Sequence, residues 1–266
     1  MTLVESTPTP ANFLPTPPSV LLIAAHPDDE YYCAATLYRV ARELNGVVDQ
    51  MIVTDGAGGH RFAALAGHVY GLDLTEGGKD HALLPEIRRE ESLRAGKLLG
   101  VRHTEFLGQP DPGYTQQERD AHRAWRIHEL KHRIEQRILS HAYDAIFVLS
   151  PNPGEHGHHI AVANLTQSIL DTLPDAQRPL LLAVEPAHSS RPASIPPVFQ
   201  FSRSRAVSRA ESLTYTVIVN WLIAEYKSQG LFQLESGRHD CERFWPLGAT
   251  EPEKARHFFA AIACSG

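Results

Sequence analysis

Short apolar runs that are followed at once by polar, turn-rich loops constrain the fold of this chain most strongly. Val20-Leu21-Leu22-Ile23 leads into His26-Pro27-Asp28-Asp29-Glu30, and Ala145-Ile146-Phe147-Val148-Leu149 leads into a Pro- and Gly-rich loop that ends in a histidine cluster. A helical pattern follows each loop. Strand–loop–helix units of this kind are typical of α/β folds with a parallel sheet. Such sheets bind ligands in the crevice beyond the carboxyl ends of their strands.

The same alternation extends along most of the chain. It predicts strands at 19–25, 47–54, 103–107, 144–149 and 179–185, a further strand within 198–208, and helices at 31–45, 85–99, 116–141 and about 210–229. We therefore expect a Rossmann-like α/β fold with a mostly parallel sheet flanked by helices and with C-terminal additions. Residues 19–266 would form a single domain, preceded by a flexible Pro-rich arm at residues 1–18.

Two predicted connections are long. Residues 60–84 carry His60, His68 and His81, and the segment is interpreted either as a lid over the crevice or as surface decoration. Residues 186–197 are rich in Pro and Ser and are predicted to form a loop.

The first polar loop brings metal-binding chemistry to the end of a strand. His26 is followed by the adjacent carboxylates Asp28 and Asp29. Imidazole and carboxylate groups are zinc ligands, and a second carboxylate beside a metal could act as a general base. The alternative is a plain helix cap, because Asp is a favoured N-cap and Pro suits turns.

The second cluster occupies the matching position in another strand–loop–helix unit. Glu155-His156-Gly157-His158-His159 lies between a predicted strand and a predicted helix. Three histidines within four residues could simply form a solvated loop. Because both clusters follow strand ends of one predicted sheet, a shared metal site is the better interpretation.

These motifs resemble the PIG-L/LmbE-like family of zinc-dependent de-N-acetylases. The resemblance is carried by the His-Pro-Asp-Asp-Glu element and the later His-x-x-His element, and it covers residues 18–170 well. Further matching segments are Thr54-Asp55-Gly56-Ala57-Gly58-Gly59, the Arg-x-x-Glu helix of Arg88 and Glu91, Phe106-Leu107-Gly108-Gln109-Pro110-Asp111, and Tyr226-Lys227-Ser228-Gln229.

The resemblance implies a role for individual residues. His26, Asp29 and His159 would bind one Zn²⁺ per chain, and Asp28 would be the general base. His159 keeps the His-x-x-His register, with His158 as the alternative third ligand. Another divalent metal is an alternative to zinc, because metal choice also depends on availability.

The remaining roles concern the substrate. By the same resemblance His156 would stabilise the oxyanion or protonate the leaving amine, and Arg88 and Asp111 would hold sugar hydroxyls. The implied activity is hydrolysis of the acetyl group of an N-acetylated amino sugar of the N-acetylglucosamine type. The alternatives are an amidase with the same site that acts on a thiol conjugate or an acylated antibiotic, and a non-catalytic binding module.

The second cluster departs from the family pattern at three positions. Gly157 stands where the family usually has Pro, and His158 stands where it usually has Asp or Asn. Some relatives carry a tyrosine shortly before this element to assist the oxyanion, and Gly154 occupies the matching position here. We therefore expect that assistance to be absent.

Composition excludes several classes of protein. The chain has 266 residues, 42% of them hydrophobic, which argues against disorder, and its net charge of -6 argues against a nucleic-acid partner. No apolar run approaches the roughly 20 residues that span a bilayer. The first 19 residues lack the features of a signal peptide, so a cytoplasmic location is expected by default. A homo-oligomer is compatible with the sequence.

The remaining cysteines and histidines are interpreted as structural. Cys33, Cys241 and Cys264 are an odd, dispersed set that predicts no disulfide framework, and Cys33 is expected in the core more than at a metal. The solvated face of the predicted 116–141 helix would carry four histidines, namely His122, His128, His132 and His141.

Overall fold

The computed structural model of this protein describes residues 16–185, 196–207, 210–230 and 240–264. The predicted arm at 1–18 lies outside the described residues up to residue 15, and the predicted loop at 186–197 lies outside them up to residue 195.

A seven-stranded, mostly parallel sheet forms the centre of the fold. The strands of the described residues are β1 (Ser19–Ala24), β2 (Val47–Thr54), β3 (His103–Gln109), β4 (Ala145–Leu149), β5 (Leu180–Val184), β6 (Phe199–Ser202), β7 (Ala206–Val207), β8 (Ala210–Thr214) and β9 (Cys241–Pro246). The sheet order is β3-β2-β1-β4-β5-β9-β6, and β7 and β8 form a separate pair. Strands β1 to β5 are parallel, while β9 is antiparallel to both β5 and β6. The predicted α/β class is confirmed.

Helices cover both faces of the sheet. In the described parts of the chain they are α1 (Ala34–Tyr38), α2 (Gly67–Tyr70), α3 (Leu84–Leu99), α4 (Glu118–Ala124), α5 (Ile127–Ser140), α6 (Gly157–Leu170), α7 (Tyr215–Glu225) and α8 (Pro252–Cys264). A 3₁₀ turn at Asp29–Cys33 and a π turn at Arg39–Glu43 extend α1 at its two ends.

The central strand shows why the sequence patterns are so apolar. Every residue of β1 is buried, and its alternate side chains enter two different cores. Leu22 belongs to the core on one face of the sheet and Ile23 to the core on the other. A strand that is covered on both faces reads as a continuous apolar run, as parallel strands usually do.

The prediction of one long helix at 116–141 is wrong. The chain forms α4 and α5 instead, because Trp125 leaves the helical conformation with φ -96° and ψ 149°. Its indole N–H donates to the carbonyl of Pro110 at 3.0 Å, and the next backbone N–H, of Arg126, donates to Oε1 of Gln109 at 2.8 Å. The break therefore ties these helices to the end of β3. The predicted inward residues of the second helix, Leu130, Ile134 and Ile138, are buried.

The prediction of a helix from about residue 210 is wrong at its start. Ala210–Thr214 is a strand that pairs antiparallel with Ala206–Val207, and the helix begins at Tyr215. The Tyr215 N–H donates to the carbonyl of Arg205, so the helix start is fixed by the hairpin and not by local helix propensity. The predicted C-terminal additions include β9, which is inserted into the main sheet between β5 and β6.

The 60–84 connection has a small core of its own. It contains the short helices Ala57–Phe62, α2 and His81–Leu83. Its buried apolar side chains are Ala63, Ala66, Leu74 and Leu84. Whether this segment acts as a lid or as decoration stays a prediction. Across the described ranges, none of the helices combines the length and the apolar character that a bilayer crossing requires.

Candidate metal and catalytic site

Two loops bring the predicted site residues to one edge of the sheet. Strands β1 and β4 are parallel neighbours, with Val20 opposite Ala145. His26 follows the end of β1, and His156 caps the start of α6 after β4. Because parallel neighbours end at the same edge, the two loops meet there.

Three of these side chains have the spacing of metal ligands. Nδ1 of His26 lies 3.3 Å from Nε2 of His159 and 3.6 Å from Oδ2 of Asp29, and the same His159 nitrogen lies 3.2 Å from Oδ1 of Asp29. Donor atoms at ligand distance from a tetrahedral zinc ion are about 3.3–3.4 Å apart. All three side chains are buried. Each residue of this group offers one ligand atom, and the three atoms lie within 4.8 Å of one another, so the group could hold one metal ion.

The other ring nitrogen of His26 contacts a different group. Its Nε2 lies 3.0 Å from Nδ1 of His158 and 4.0 Å from Oδ2 of Asp111. His158 is fully buried, and its ring packs against Trp125 with centroids 5.1 Å apart. Histidine ligands usually donate their second N–H to a buried acceptor. If Nδ1 of His26 holds an ion, its Nε2–H donates to His158. The alternative ligand group of His26, His156 and His158 contains no carboxylate.

The charges around His26 favour a cation. Burial opposes a charge on His26, but Asp29 and Asp111 raise the pKa of its imidazole above the usual value. Burial alone would raise the pKa of Asp29, yet His159 and His26 hold it well below its usual range. The pKa of Asp111 is lowered as well, because His26 and Arg88 outweigh its burial. Buried carboxylates that stay ionised beside these imidazoles create a negative field that attracts a positive ion.

Asp28 is held beside the ligand group in a strained conformation. Its φ of 109° lies in the left-handed region, which costs a residue other than glycine about 1–3 kcal/mol and is common at functional sites. Its Oδ2 accepts a hydrogen bond from Nη2 of Arg88 at 2.6 Å. Burial raises the pKa of the Asp28 carboxyl to about 8, against the opposing effect of the Arg88 guanidinium. The positive charge of a bound ion would lower that pKa. Asp28 is therefore positioned as a proton acceptor.

Arg88 is buried and anchors three groups of the site. Besides Asp28, its guanidinium donates to the carbonyls of Pro27 at 2.6 Å and Gly56 at 2.7 Å. The Gly-rich loop after β2 makes room for it, since a Cβ added at Gly59 would lie 2.5 Å from Nη1 of Arg88. Its buried Nε has no hydrogen-bond partner among the described residues.

His156 is held with a defined tautomer. The backbone N–H of His158 donates to Nδ1 of His156 at 3.1 Å, so a neutral His156 carries its proton on Nε2. Burial, with smaller effects of His26 and His159, lowers the pKa of His156 well below its usual value. Its ring centroid lies 4.8 Å from that of His26. Neutral His156 can therefore donate a hydrogen bond close to the ligand group.

Two supporting residues were not assigned from the sequence. Glu30 accepts a hydrogen bond from the backbone N–H of Asp28 at 3.2 Å and another from the Tyr226 hydroxyl. Burial raises the pKa of Glu30 to about 7, although the Tyr226 hydrogen bond opposes this. Glu30 belongs to the first motif, but nothing in the sequence connects it with Tyr226. This pair fixes the backbone beside the candidate base.

The C-terminal Ser-Gln element also reaches the site. Ser228 donates from its backbone N–H and from Oγ to the two carboxylate oxygens of Glu91, at 2.7 and 2.5 Å. Nε2 of Gln229 donates to the carbonyl of Gly59 at 3.4 Å. The element thus braces the Arg-x-x-Glu helix and the Gly-rich loop that surround Arg88.

The four histidines predicted on the 116–141 helix and Cys33 belong to neither candidate ligand group. His122, His128 and His132 are exposed, and His141 contacts the hydroxyl of Ser19 at 3.0 Å. Burial raises the pKa of the Cys33 thiol well above its usual value, which disfavours the thiolate that a metal needs. Within the described ranges, the groups with metal-ligand spacing draw only on His26, Asp29, His156, His158 and His159.

Solved structures share this fold at low sequence identity. N,N'-diacetylchitobiose deacetylase from Pyrococcus horikoshii has a TM-score of 0.58 and 17% identity, over 87% of this chain and 86% of that chain. The zinc-inhibited form of teicoplanin deacetylase Orf2 has a TM-score of 0.57 and 17% identity, over 85% and 97%. The 4-carboxy-2-hydroxymuconate hydratase GalB from Pseudomonas putida KT2440 has a TM-score of 0.57 and 14% identity, over 88% and 98%. These likenesses establish the fold, which a hydratase shares.

The family is established by the sequence itself. A search of curated proteins finds no significant match. The family model of PIG-L, described as GlcNAc-PI de-N-acetylase, matches residues 21–170. That segment includes both polar loops and the whole candidate ligand group. Because the match covers more than half of the 266 residues, this chain belongs to the PIG-L family.

Proposed function

We propose that this protein is a zinc-dependent hydrolase that removes the acetyl group from an N-acetylated amino sugar of the N-acetylglucosamine type. The observation that carries the proposal is that His26, Asp29 and His159 each offer one ligand atom, and these three atoms lie within 4.8 Å of one another. The carboxyl of Asp28, which Arg88 holds, lies beside them. Membership of the PIG-L family supports the reaction class. The alternative group with His158 lacks the carboxylate that would balance the charge of the ion.

The chain supplies a base and a hydrogen-bond donor. A zinc ion held by His26, Asp29 and His159 would polarise the amide carbonyl and lower the pKa of water to about 7. Asp28 accepts a proton from the attacking water while the water oxygen bonds to the carbonyl carbon. The Nε2–H of His156 donates a hydrogen bond to the carbonyl oxygen as negative charge develops there.

In the second half of the reaction, Asp28 gives the proton that it took from water to the leaving nitrogen. The C–N bond breaks, the electron pair stays on nitrogen, and the proton held by Asp28 passes to the amine. The products are acetate and the free amino sugar. The reaction needs no further co-reactant, because water supplies both the oxygen that joins the acetyl carbon and the proton that joins the amine nitrogen.

Asp111 and Arg88 are proposed to bind the sugar. The Asp111 carboxylate stays ionised beside His26 and can accept hydrogen bonds from hydroxyls. Arg88 lies beside Asp28 and the Gly-rich loop, and its proposed contact with a sugar hydroxyl rests on the family resemblance. A chitobiose deacetylase among the structures of this fold acts on an N-acetylated sugar, which supports the substrate class, whereas the teicoplanin deacetylases keep an acylated antibiotic as the alternative.

A substrate panel tests the proposal. The zinc-loaded full chain is incubated with N-acetylglucosamine, N,N'-diacetylchitobiose, an N-acetylated thiol conjugate and teicoplanin, and free amine is quantified. We expect amine from the sugars only. Release from the thiol conjugate or teicoplanin alone would move the function to the alternative amidase, and no release from any compound would favour a binding module.

Arg88→Ala is expected to weaken substrate binding and to lower stability, with the metal content unchanged. Breaking a buried ion pair costs about 3–5 kcal/mol, and here Asp28 would lose its partner at 2.6 Å. KM, the thermal midpoint and the metal per chain measure the three effects. Lys97→Ala on the same helix is the control, because Lys97 is exposed. A loss of metal without a change in KM would contradict the role of Arg88.

The cytoplasmic location, the single domain at 19–266 and self-association stay predictions from the sequence.

A further inference from the structure

Tyr114 is an exposed aromatic residue at the edge of the candidate site. It lies in the loop between β3 and α4 and has 59% of its surface exposed. Its ring centroid lies 5.0 Å from that of His156, with the two rings nearly perpendicular. Phe62 and Trp221 are the other large aromatic residues exposed in the described parts of the chain. A large exposed ring next to a polar site is a usual feature of a ligand pocket.

Hydrogen bonds hold the loop of Tyr114 against the histidine cluster. The carbonyl of Thr115 accepts the Gly157 N–H at 2.7 Å. Nε2 of Gln116 donates to the Tyr114 hydroxyl at 3.1 Å and to the carbonyl of Gly154 at 3.2 Å. The ring is thus tied through its own hydroxyl to the loop that carries the histidines. An exposed ring that is held in one place loses little conformational entropy when a ligand covers it.

Gly157 makes this close approach feasible. A Cβ added at Gly157 would lie 2.6 Å from the carbonyl oxygen of Gln117, a distance at which the loop would have to move. The N–H of Gly157 is also needed for the bond to Thr115, so proline cannot replace it. Gly113, directly before Tyr114, has a φ of 102° that favours glycine. Both glycines therefore serve the placement of the Tyr114 loop.

The same loop carries a carboxylate, that of Asp111, which can accept hydrogen bonds from sugar hydroxyls. Asp111 lies three residues before Tyr114, and its Oδ1 accepts the Gly113 N–H at 3.0 Å. Its Oδ2 lies 4.0 Å from Nε2 of His26. A carboxylate and an aromatic ring on one short loop match the two surfaces of a pyranose, which has a rim of hydroxyls and an apolar face of C–H groups.

We propose that the Tyr114 ring is the wall of a sugar subsite beside His156, against which the C–H face of the amino sugar packs. The inference rests on the proposed function, and it adds the residue that selects for a sugar ring. The ring, and not the hydroxyl, makes the contact, because the hydroxyl is engaged by Gln116.

Kinetics of Tyr114→Ala and Tyr114→Phe on N-acetylglucosamine test the proposal. We expect the alanine variant to raise KM about 10- to 100-fold, the range for a lost apolar contact, with kcat within about threefold of wild type. The phenylalanine variant keeps the ring but loses the bond from Gln116, so its KM is expected to rise much less than that of the alanine variant. Trp221→Ala is the control, because Trp221 is 53% exposed and lies on α7. Metal content and thermal midpoint should stay unchanged in all three variants.

The outcomes separate this proposal from the proposed function. A wild-type KM in the alanine variant, or equal losses in the alanine and phenylalanine variants, would overturn the sugar wall while hydrolysis stands. If the wild type hydrolyses no N-acetylated sugar, calorimetric titration of the zinc-loaded protein with N-acetylglucosamine tests whether the sugar subsite exists without the reaction. Binding that is lost only in the alanine variant supports the subsite without the reaction, and absent wild-type binding overturns both.

Discussion

Asp28→Asn is expected to lower kcat by about 10²- to 10⁴-fold, the usual contribution of a general base, while bound metal stays near the wild-type level. The asparagine side chain has nearly the same shape and can still accept the hydrogen bond that Arg88 donates at 2.6 Å. It cannot accept a proton from water. Only the proton acceptor is removed, because the proposed ligand atoms belong to His26, Asp29 and His159.

The measurement is kcat on N-acetylglucosamine with elemental analysis of the same protein sample. Asp29→Asn should lose both metal and turnover, because it removes a ligand carboxylate. Asp175→Asn is the matched surface control, since the Asp175 side chain is 96% exposed. Wild-type turnover in Asp28→Asn would exclude Asp28 as the base.

His159→Ala is expected to leave little metal bound after dialysis, whereas His158→Ala should keep its metal with an affinity about 10- to 100-fold weaker. His159 places Nε2 3.2 Å from Asp29 and 3.3 Å from His26, as a ligand should. His158 contacts the opposite ring nitrogen of His26 at 3.0 Å and would act by orienting that ring. Residues that orient a ligand typically contribute 10- to 100-fold to metal affinity.

Competition with a chromogenic chelator measures both affinities without reference to turnover. His122→Ala is the control, because His122 is exposed and lies on α4. The reverse order, with metal lost from His158→Ala and kept by His159→Ala, would move the third ligand to His158 and contradict this account of the site.

The local sequence predicts that the two polar loops lie together at one edge of the sheet. His26 and His156 each follow an apolar run that is typical of a buried strand, and neighbouring parallel strands end at the same edge. The positions of Arg88 and Asp111 could not be derived in this way. They came from the family resemblance, and the structure places both near His26 and Asp28.

The supporting contacts were not predictable, because they join distant parts of the chain. Tyr226 reaches Glu30 from 196 residues away, and Ser228 reaches Glu91 from 137 residues away. The helix break at Trp125 was missed for a related reason. Its flanking residues have a helical pattern, and the hydrogen bond from Trp125 to Pro110 outweighs that local preference.

The most direct test of the central claim is amine release from N-acetylglucosamine by three protein samples. These are the wild-type protein after metal removal by a chelator, the same protein after zinc is restored, and zinc-treated His26→Ala. We predict amine release from the zinc-restored wild type only, because His26 is the proposed source of a ligand nitrogen and belongs to both candidate ligand groups. Equal release from the stripped and restored samples, or full activity in His26→Ala, would contradict a metal-dependent de-N-acetylase.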